Sequence, residues 1–150
     1  MALIDKYFKK EDLEKIARTC TEVEKNTSGE IRVSIYNKKP WRLRKKNIFE
    51  LALYEFYRLG MDKTRDRTGI LLFILLNERK FQILADSGIN EKVNQEVWDN
   101  IASELTSYFK QGKYMEGVVK VVKKMGKVLS RYFPRKPDDI NELSDEVSVM

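Results

Sequence analysis

Seven consecutive residues, Ile70-Leu71-Leu72-Phe73-Ile74-Leu75-Leu76, carry no polar side chain, and Gly69 precedes them. A strand with one wet face alternates apolar and polar residues, because successive side chains point to opposite faces. An unbroken run of this length reads instead as a strand covered on both faces. It is far shorter than the roughly 20 residues of a membrane helix. The chain must therefore supply a layer on each side of this strand. Asn77-Glu78-Arg79-Lys80 is a tight polar link into another β-type run, Phe81 to Ala85, so these two strands form an antiparallel hairpin. Upstream, Glu30 to Tyr36 alternates, with Ile31, Val33 and Ile35 on one face. A helical pattern separates that strand from the apolar one, which predicts a parallel pair joined by a right-handed crossover.

Four helical patterns supply the covering layers. Over 10–26, Leu13, Ile16, Ala17, Cys20 and Val23 recur at spacings of three and four. Over about 44–59, Ile48, Leu51, Ala52, Phe56 and Leu59 do the same, with Gly60 placed to end the helix. After the turn Asp86-Ser87-Gly88-Ile89-Asn90, where Ser87 or Asn90 is the expected N-cap, a third helix runs to about Lys110 on Val93, Val97, Trp98, Ile101, Leu105 and Tyr108. Residues 115–132 repeat the pattern on Val118, Val122, Met125 and Leu129 until Pro134 and Pro137 stop it. The expected fold is a three-layer α/β/α sandwich with a small mixed central sheet and helices on both faces. The chain's 150 residues suit one domain, placed at 1–134, with 135–150 as an acidic tail expected to be poorly ordered.

Composition removes whole classes of chemistry. There is no histidine, which excludes Ser-His-Asp and Cys-His nucleophiles, zinc-protease helices and histidine phosphatases. A single cysteine, Cys20, excludes an internal disulfide and multi-cysteine metal sites, and its place on an apolar helix face marks it as a core residue. The seven glycines never fall closer than five apart, so no glycine-rich phosphate loop exists. Asp62-Lys63-Thr64 lacks the paired aspartates of a carboxylate-nucleophile phosphatase. The net charge is +6, and the tail after Pro134 is itself acidic, so the body is more basic than the whole. Such a body favours anionic partners.

Several segments carry a family resemblance. Thr27-Ser28-Gly29-Glu30-Ile31-Arg32-Val33 is similar to a T-x-G-E-I-x-V opening. Phe56, Leu59-Gly60-Met61, Thr64 and Gly69-Ile70-Leu71-Leu72 resemble an F-x-x-L-G…T…G-V-L-L block. Asp86-Ser87-Gly88-Ile89 resembles a glycine turn, and Phe109, Gly112, Tyr114 and Gly117 an F-x-x-G-x-Y-x-x-G stretch. In this order and spacing, over residues 11–134, they resemble the TPM domain family, also labelled TPM phosphatase. The resemblance implies an α/β/α sandwich, acid phosphatase activity of the kind claimed for some plant members, and divalent-metal binding in an acidic cleft as in some bacterial ones. Roles among relatives include photosystem repair and membrane-protein modulation. Many members carry an export signal and often a C-terminal membrane anchor. Neither pattern is visible here, so a cytoplasmic location and no transmembrane segment are expected.

The predicted topology sorts the charged residues into two poles. Parallel strands begin at the same sheet edge, and the antiparallel third strand ends there. Glu30, Asp66, Thr68 and Asp86 should converge at that edge, with Asp62 nearby. Carboxylates and hydroxyls without histidine suit Ca²⁺ or Mg²⁺. The resemblance adds Asp99, near where the family has an aspartate after its glycine turn. Glu30, Asp62, Asp66, Asp86 and Asp99 are thus the candidate metal ligands, against the alternatives that Asp86 caps a helix, Glu30 pairs with Arg65 or Arg67, and Asp99 is solvated. The opposite pole gathers Lys38, Lys39, Arg42, Arg44, Lys45 and Lys46 around Trp41, with Arg79 and Lys80 from the hairpin. This is a candidate anion-binding surface, or a solvated loop with Trp41 packed on the second helix. No catalytic residue is assigned. The expected function is a noncatalytic or weakly catalytic module that binds an unidentified protein partner and a divalent cation at the acidic pole. The alternatives are a metal-dependent acid phosphatase and a basic adaptor for nucleic acid or an anionic membrane surface.

Overall fold

The computed structural model describes residues 2–139 and 145–150. Helix α1 spans Lys10–Glu24, strand β1 Glu30–Tyr36, helix α2 Ile48–Arg58, strand β2 Gly69–Leu75 and strand β3 Lys80–Ala85. A short helix α3 (Ser87–Asn90) leads into α4 (Gln95–Lys110) and α5 (Tyr114–Tyr132), and a two-residue strand β4 (Ser148–Val149) follows. The sheet order is β3-β2-β1-β4. β1 runs parallel to β2, and β2 antiparallel to β3, as the link lengths predicted.

The apolar run is buried along its whole length, and the reason is visible in how the core divides. Ile70, Leu72 and Ile74 of β2, with Ile31, Val33 and Ile35 of β1, pack against α1, α4 and α5. Leu71, Phe73 and Leu75 turn the other way, onto Leu51, Ala52 and Phe56 of α2. The chain is therefore the expected three-layer sandwich, with α2 alone on one face and α1, α4 and α5 on the other. Among the described residues no helix is long and apolar enough to cross a membrane.

Local chemistry moves several boundaries. α2 begins at Ile48 rather than near 44, because Asn47 accepts the Glu50 amide at 2.8 Å and Glu50 in turn accepts the Asn47 amide at 3.1 Å. This reciprocal capping box satisfies two amides that a longer helix would have used elsewhere. The third predicted helix is split. Asp86, not Ser87 or Asn90, caps α3, its side chain accepting the Ser87 amide at 2.7 Å. Asn94 then caps α4. α1 stops at Glu24, two residues before the predicted end.

The last residues of the tail reach the sheet: β4 pairs in parallel with β1, and the Asn37 amide donates to the Met150 carbonyl at 2.7 Å. Residues 140–144 of the predicted tail lie outside the described residues.

Candidate functional site

The register across three strands builds the acidic pole. Glu30 is paired with Gly69, and the Asp86 amide donates to the Gly69 carbonyl at 2.9 Å. Glu30, Gly69 and Asp86 therefore sit side by side where β1 and β2 begin and β3 ends. Gly69 leaves the middle of the row without a side chain, and the turn Met61–Lys63 packs into that space. A Cβ at 69 would lie 3.2 Å from the Met61 carbonyl oxygen. Because Met61 is fully buried, it anchors the loop that carries Asp62 and Thr64. Gly88 closes the other side. A Cβ there would meet the Asp66 and Arg67 carbonyl oxygens at 2.4 and 2.5 Å, so only glycine allows this approach.

Three polar atoms at this pole are anomalous. Asp62 Oδ1, Thr64 Oγ1 and Asp86 Oδ2 are buried, and each lacks a hydrogen-bond partner among the described residues. Buried polar atoms are nearly always paired with protein or ordered water, so such orphans mark a place for a water or an ion. Among the described residues, no three acidic, histidine or cysteine side chains stand close enough to enclose an ion by themselves. Any cation here would keep part of its water shell.

The other two predicted ligands are placed differently. Asp66 faces solvent and pairs with Arg65 at 3.2 Å and Lys136 at 3.6 Å. The Arg65 guanidinium holds its carboxyl below the ordinary range. Asp99 is exposed on α4 and accepts the Gln95 side-chain amide at 3.1 Å. Asp86 fills the capping role and still leaves its second oxygen over.

At the basic pole, Trp41 is not packed on α2; it is 76% exposed, with the Arg44 guanidinium stacked 3.6 Å from its ring. Leu43 is buried beneath the loop, and Arg42 donates to the Tyr54 hydroxyl at 2.8 Å. Lys39 pairs with Glu78 at 3.4 Å, which ties the loop to the β2–β3 turn. Lys38, Lys45 and Lys46 make no ion pair among the described residues.

Two buried networks had escaped the sequence reading. Glu55 of α2 is fully buried and accepts from Ser34 Oγ, from Tyr36 OH at 2.7 Å and from Arg58 Nε at 2.6 Å. Burial pushes its carboxyl up, but the bonds from Arg58, Ser34 and Tyr36 outweigh that and hold it below the ordinary range. Ser148 of β4 joins the network, 3.2 Å from Glu55 Oε2. The second network lies at the β1 edge. Glu24 accepts the Ile31 amide at 2.7 Å, and buried Arg32 pairs with Asp145 at 3.1 Å. Burial, then the neighbouring Asp145 carboxyl, pushes Glu24 up to about 9. The available signal was positional. Glu24 and Glu55 each fall four residues after an apolar stripe residue, Cys20 and Leu51, and a carboxylate on a core face must find partners. Cys20 itself is buried and its thiol is pushed up to about 12, mainly by that burial, which makes it inert as a nucleophile.

This architecture has known counterparts. The structure of the BA42 protein from Bizionia argentinensis matches with a TM-score of 0.87 and 35% identity, over 100% of both chains. The N-terminal domain of a P. gingivalis protein matches at a TM-score of 0.66 and 16% identity, over 85% of this chain and 79% of the other. The N-terminal domain of cg2496 from Corynebacterium glutamicum matches at 0.62 and 10%, over 90% and 81%. These last two share the fold alone. No curated protein matches the sequence. A family model described as the TPM domain matches residues 4–128, which contain both poles and all three layers, and with the full-length likeness to BA42 this places the chain in the TPM domain family.

Proposed function

We propose that this TPM domain is a binding module that takes a divalent cation at the acidic pole, using Asp62 and Asp86 with Thr64 and the Met61 carbonyl, and with Glu30 as a neighbouring carboxylate. The observation that carries the reading is the set of buried oxygens without partners among the described residues, Asp62 Oδ1, Thr64 Oγ1 and Asp86 Oδ2, on the two segments that flank Gly69. Oxygen-only donors suit hard cations, and Mg²⁺ is commonly held by one or two carboxylates while keeping several waters. A bound cation would supply a fixed positive charge for an anionic group on a partner. A cysteine-based phosphatase mechanism is excluded, because the chain's one thiol is buried and protonated.

Calcium and magnesium titration of the folded domain tests this. A cation that binds only the folded state should add about 2.7 kcal/mol at a hundredfold excess over Kd. Melting should shift upward in millimolar Ca²⁺ or Mg²⁺, with amide shifts around Asp62 and Asp86. Asp62→Asn and Asp86→Asn should each reduce the shift, while Asp99→Asn should not. An unchanged melting temperature and silent amides at the pole would leave these groups as hydrated scaffolding. Turnover of p-nitrophenyl phosphate by the loaded protein, lost in Asp86→Asn, would instead make the pole a phosphatase site.

The basic loop supports a second reading, an anionic surface as partner. Exposed Trp41 with Arg44 stacked on its ring, and exposed Lys38 and Lys45 on the same loop, supply an amphipathic ring among cations, the pattern that favours headgroups or phosphate backbones. Replacing Arg42, Arg44 and Lys45 by Ser should leave melting within about 0.5 kcal/mol, since these are surface changes. Binding to anionic vesicles or DNA should weaken, and its salt dependence should shrink by roughly one unit per lost phosphate contact. Absence of any binding by the unmodified protein at low salt would discard this reading.

A further inference from the structure

A cavity of about 500 Å³ lies on the opposite side of the sheet from α2, where β2 ends, β3 begins and α4 meets α5. Its size falls within the range of small-molecule sites. Ile74 and Leu76 contribute to its floor, and its walls are aromatic. Phe81 and Phe109 stand edge to face at 5.9 Å, Phe109 and Tyr114 lie 5.5 Å apart, and Tyr7 and Tyr114 meet at 4.7 Å. The charged residues at the rim are Arg79, Lys80 and Lys110, all exposed, and no acid lines the cavity among the described residues. Glu78 engages Lys80 weakly, at 3.8 Å, while also binding Lys39; Arg79 and Lys110 make no ion pair among the described residues.

The backbone at Arg79 adds an independent observation. Arg79 holds a φ of 53° in the β2–β3 turn, the left-handed region that glycine enters freely and other residues enter at a cost. That turn holds the Arg79 side chain at the cavity's rim.

We propose that this cavity binds an aromatic anion, a ring system held against the Phe81, Phe109 and Tyr114 rings with its carboxylate or phosphate facing Arg79 and Lys110. Ring faces and edges give an aromatic body more than its buried area alone, and unpaired cations select the charge. The site is separate from the acidic pole, so the two proposals stand or fall independently.

The test uses the full chain and four probes followed by amide shifts: 2-naphthoate, 2-naphthyl phosphate, neutral 2-naphthalenemethanol and inorganic phosphate. The two aromatic anions should saturate with shifts centred on Leu76, Phe81, Phe109 and Tyr114, and the stronger of them identifies the anionic group. The neutral alcohol should bind about tenfold more weakly, and inorganic phosphate should not move these amides. Arg79→Gly combined with Lys110→Ser should weaken the aromatic anions about tenfold without lowering the melting temperature, because the glycine relaxes the turn. Thr106→Trp, at the cavity wall, should block binding; if that variant fails to fold, the rim pair carries the test. The proposal is overturned if neither aromatic anion shifts these amides at millimolar concentration. It is equally overturned if the alcohol matches the anions, or if the rim variant binds like the unmodified chain.

Discussion

Replacing Glu55 by Ala should destabilise the domain by about 3–5 kcal/mol, because a buried charged group that satisfies several partners is removed without replacement. Ser34 and Tyr36 are fully buried, and both hydroxyls donate to this carboxylate. Each would be left without an acceptor, at about 1–3 kcal/mol apiece. Arg58 is partly exposed and can turn to water, so its loss is the smaller part. Tyr36→Phe, which removes one donor and leaves the carboxylate its other bonds, should cost about 1 kcal/mol. Urea unfolding of both variants measures the two values. A Glu55→Ala cost below about 1 kcal/mol would show that the network does not hold α2 to β1. Because folding lowers the Glu55 pKa, its contribution is present above the ordinary carboxylate range and is lost as pH falls through its folded value.

Glu24 should give the opposite slope. Folding raises its pKa from 4.5 to about 9, so its favourable contribution is complete below 4.5 and is lost as pH rises toward 9. Across that window stability should fall by up to about 1.4 kcal/mol per pH unit from this group. The groups facing it are Cys20 on its own helix, Arg32 from β1 and Asp145 from the tail. Glu24→Gln mimics the protonated acid: its oxygen can accept the Ile31 amide and its amide can donate to Asp145. The variant should match the unmodified protein within about 1 kcal/mol at pH 5 and exceed it by a few kcal/mol near pH 8.5. Chemical denaturation at several pH values reads the difference. Parallel stability curves for the two proteins would mean that Glu24 ionises freely in the folded state.

How much of the candidate site was legible follows from what kind of information placed each residue. Glu30 and Asp86 came together through strand direction, which link lengths decide: a four-residue link forces a hairpin, and an intervening helix forces a parallel pair. Asp62 was nearby for the same reason. The same logic placed Asp66 at that edge but not the direction of its side chain, and Asp99 came from the family resemblance alone. Asp66 turns to Arg65 and Lys136, the latter far away in sequence, and Asp99 depends on the rotation of α4. Trp41 likewise follows from its loop, which Leu43 anchors in its place.

The sequence by itself determined the layers, because an unbroken apolar strand has no stable solution except burial on both faces, and the helical stripes to bury it are local patterns. It also determined the strand directions and the exclusion of histidine-dependent nucleophiles, which need only link lengths and composition. Only the tertiary structure decided the partners of Glu24 and Glu55 and the return of Asp145–Met150 to the β1 edge. Those contacts join residues more than a hundred positions apart in the tail's case, and a two-residue strand has no periodicity to announce it. Arg32 needed a counter-charge once β1 was buried, and Asp145 supplies it. That requirement arises from desolvation, which exists only after the layers have closed.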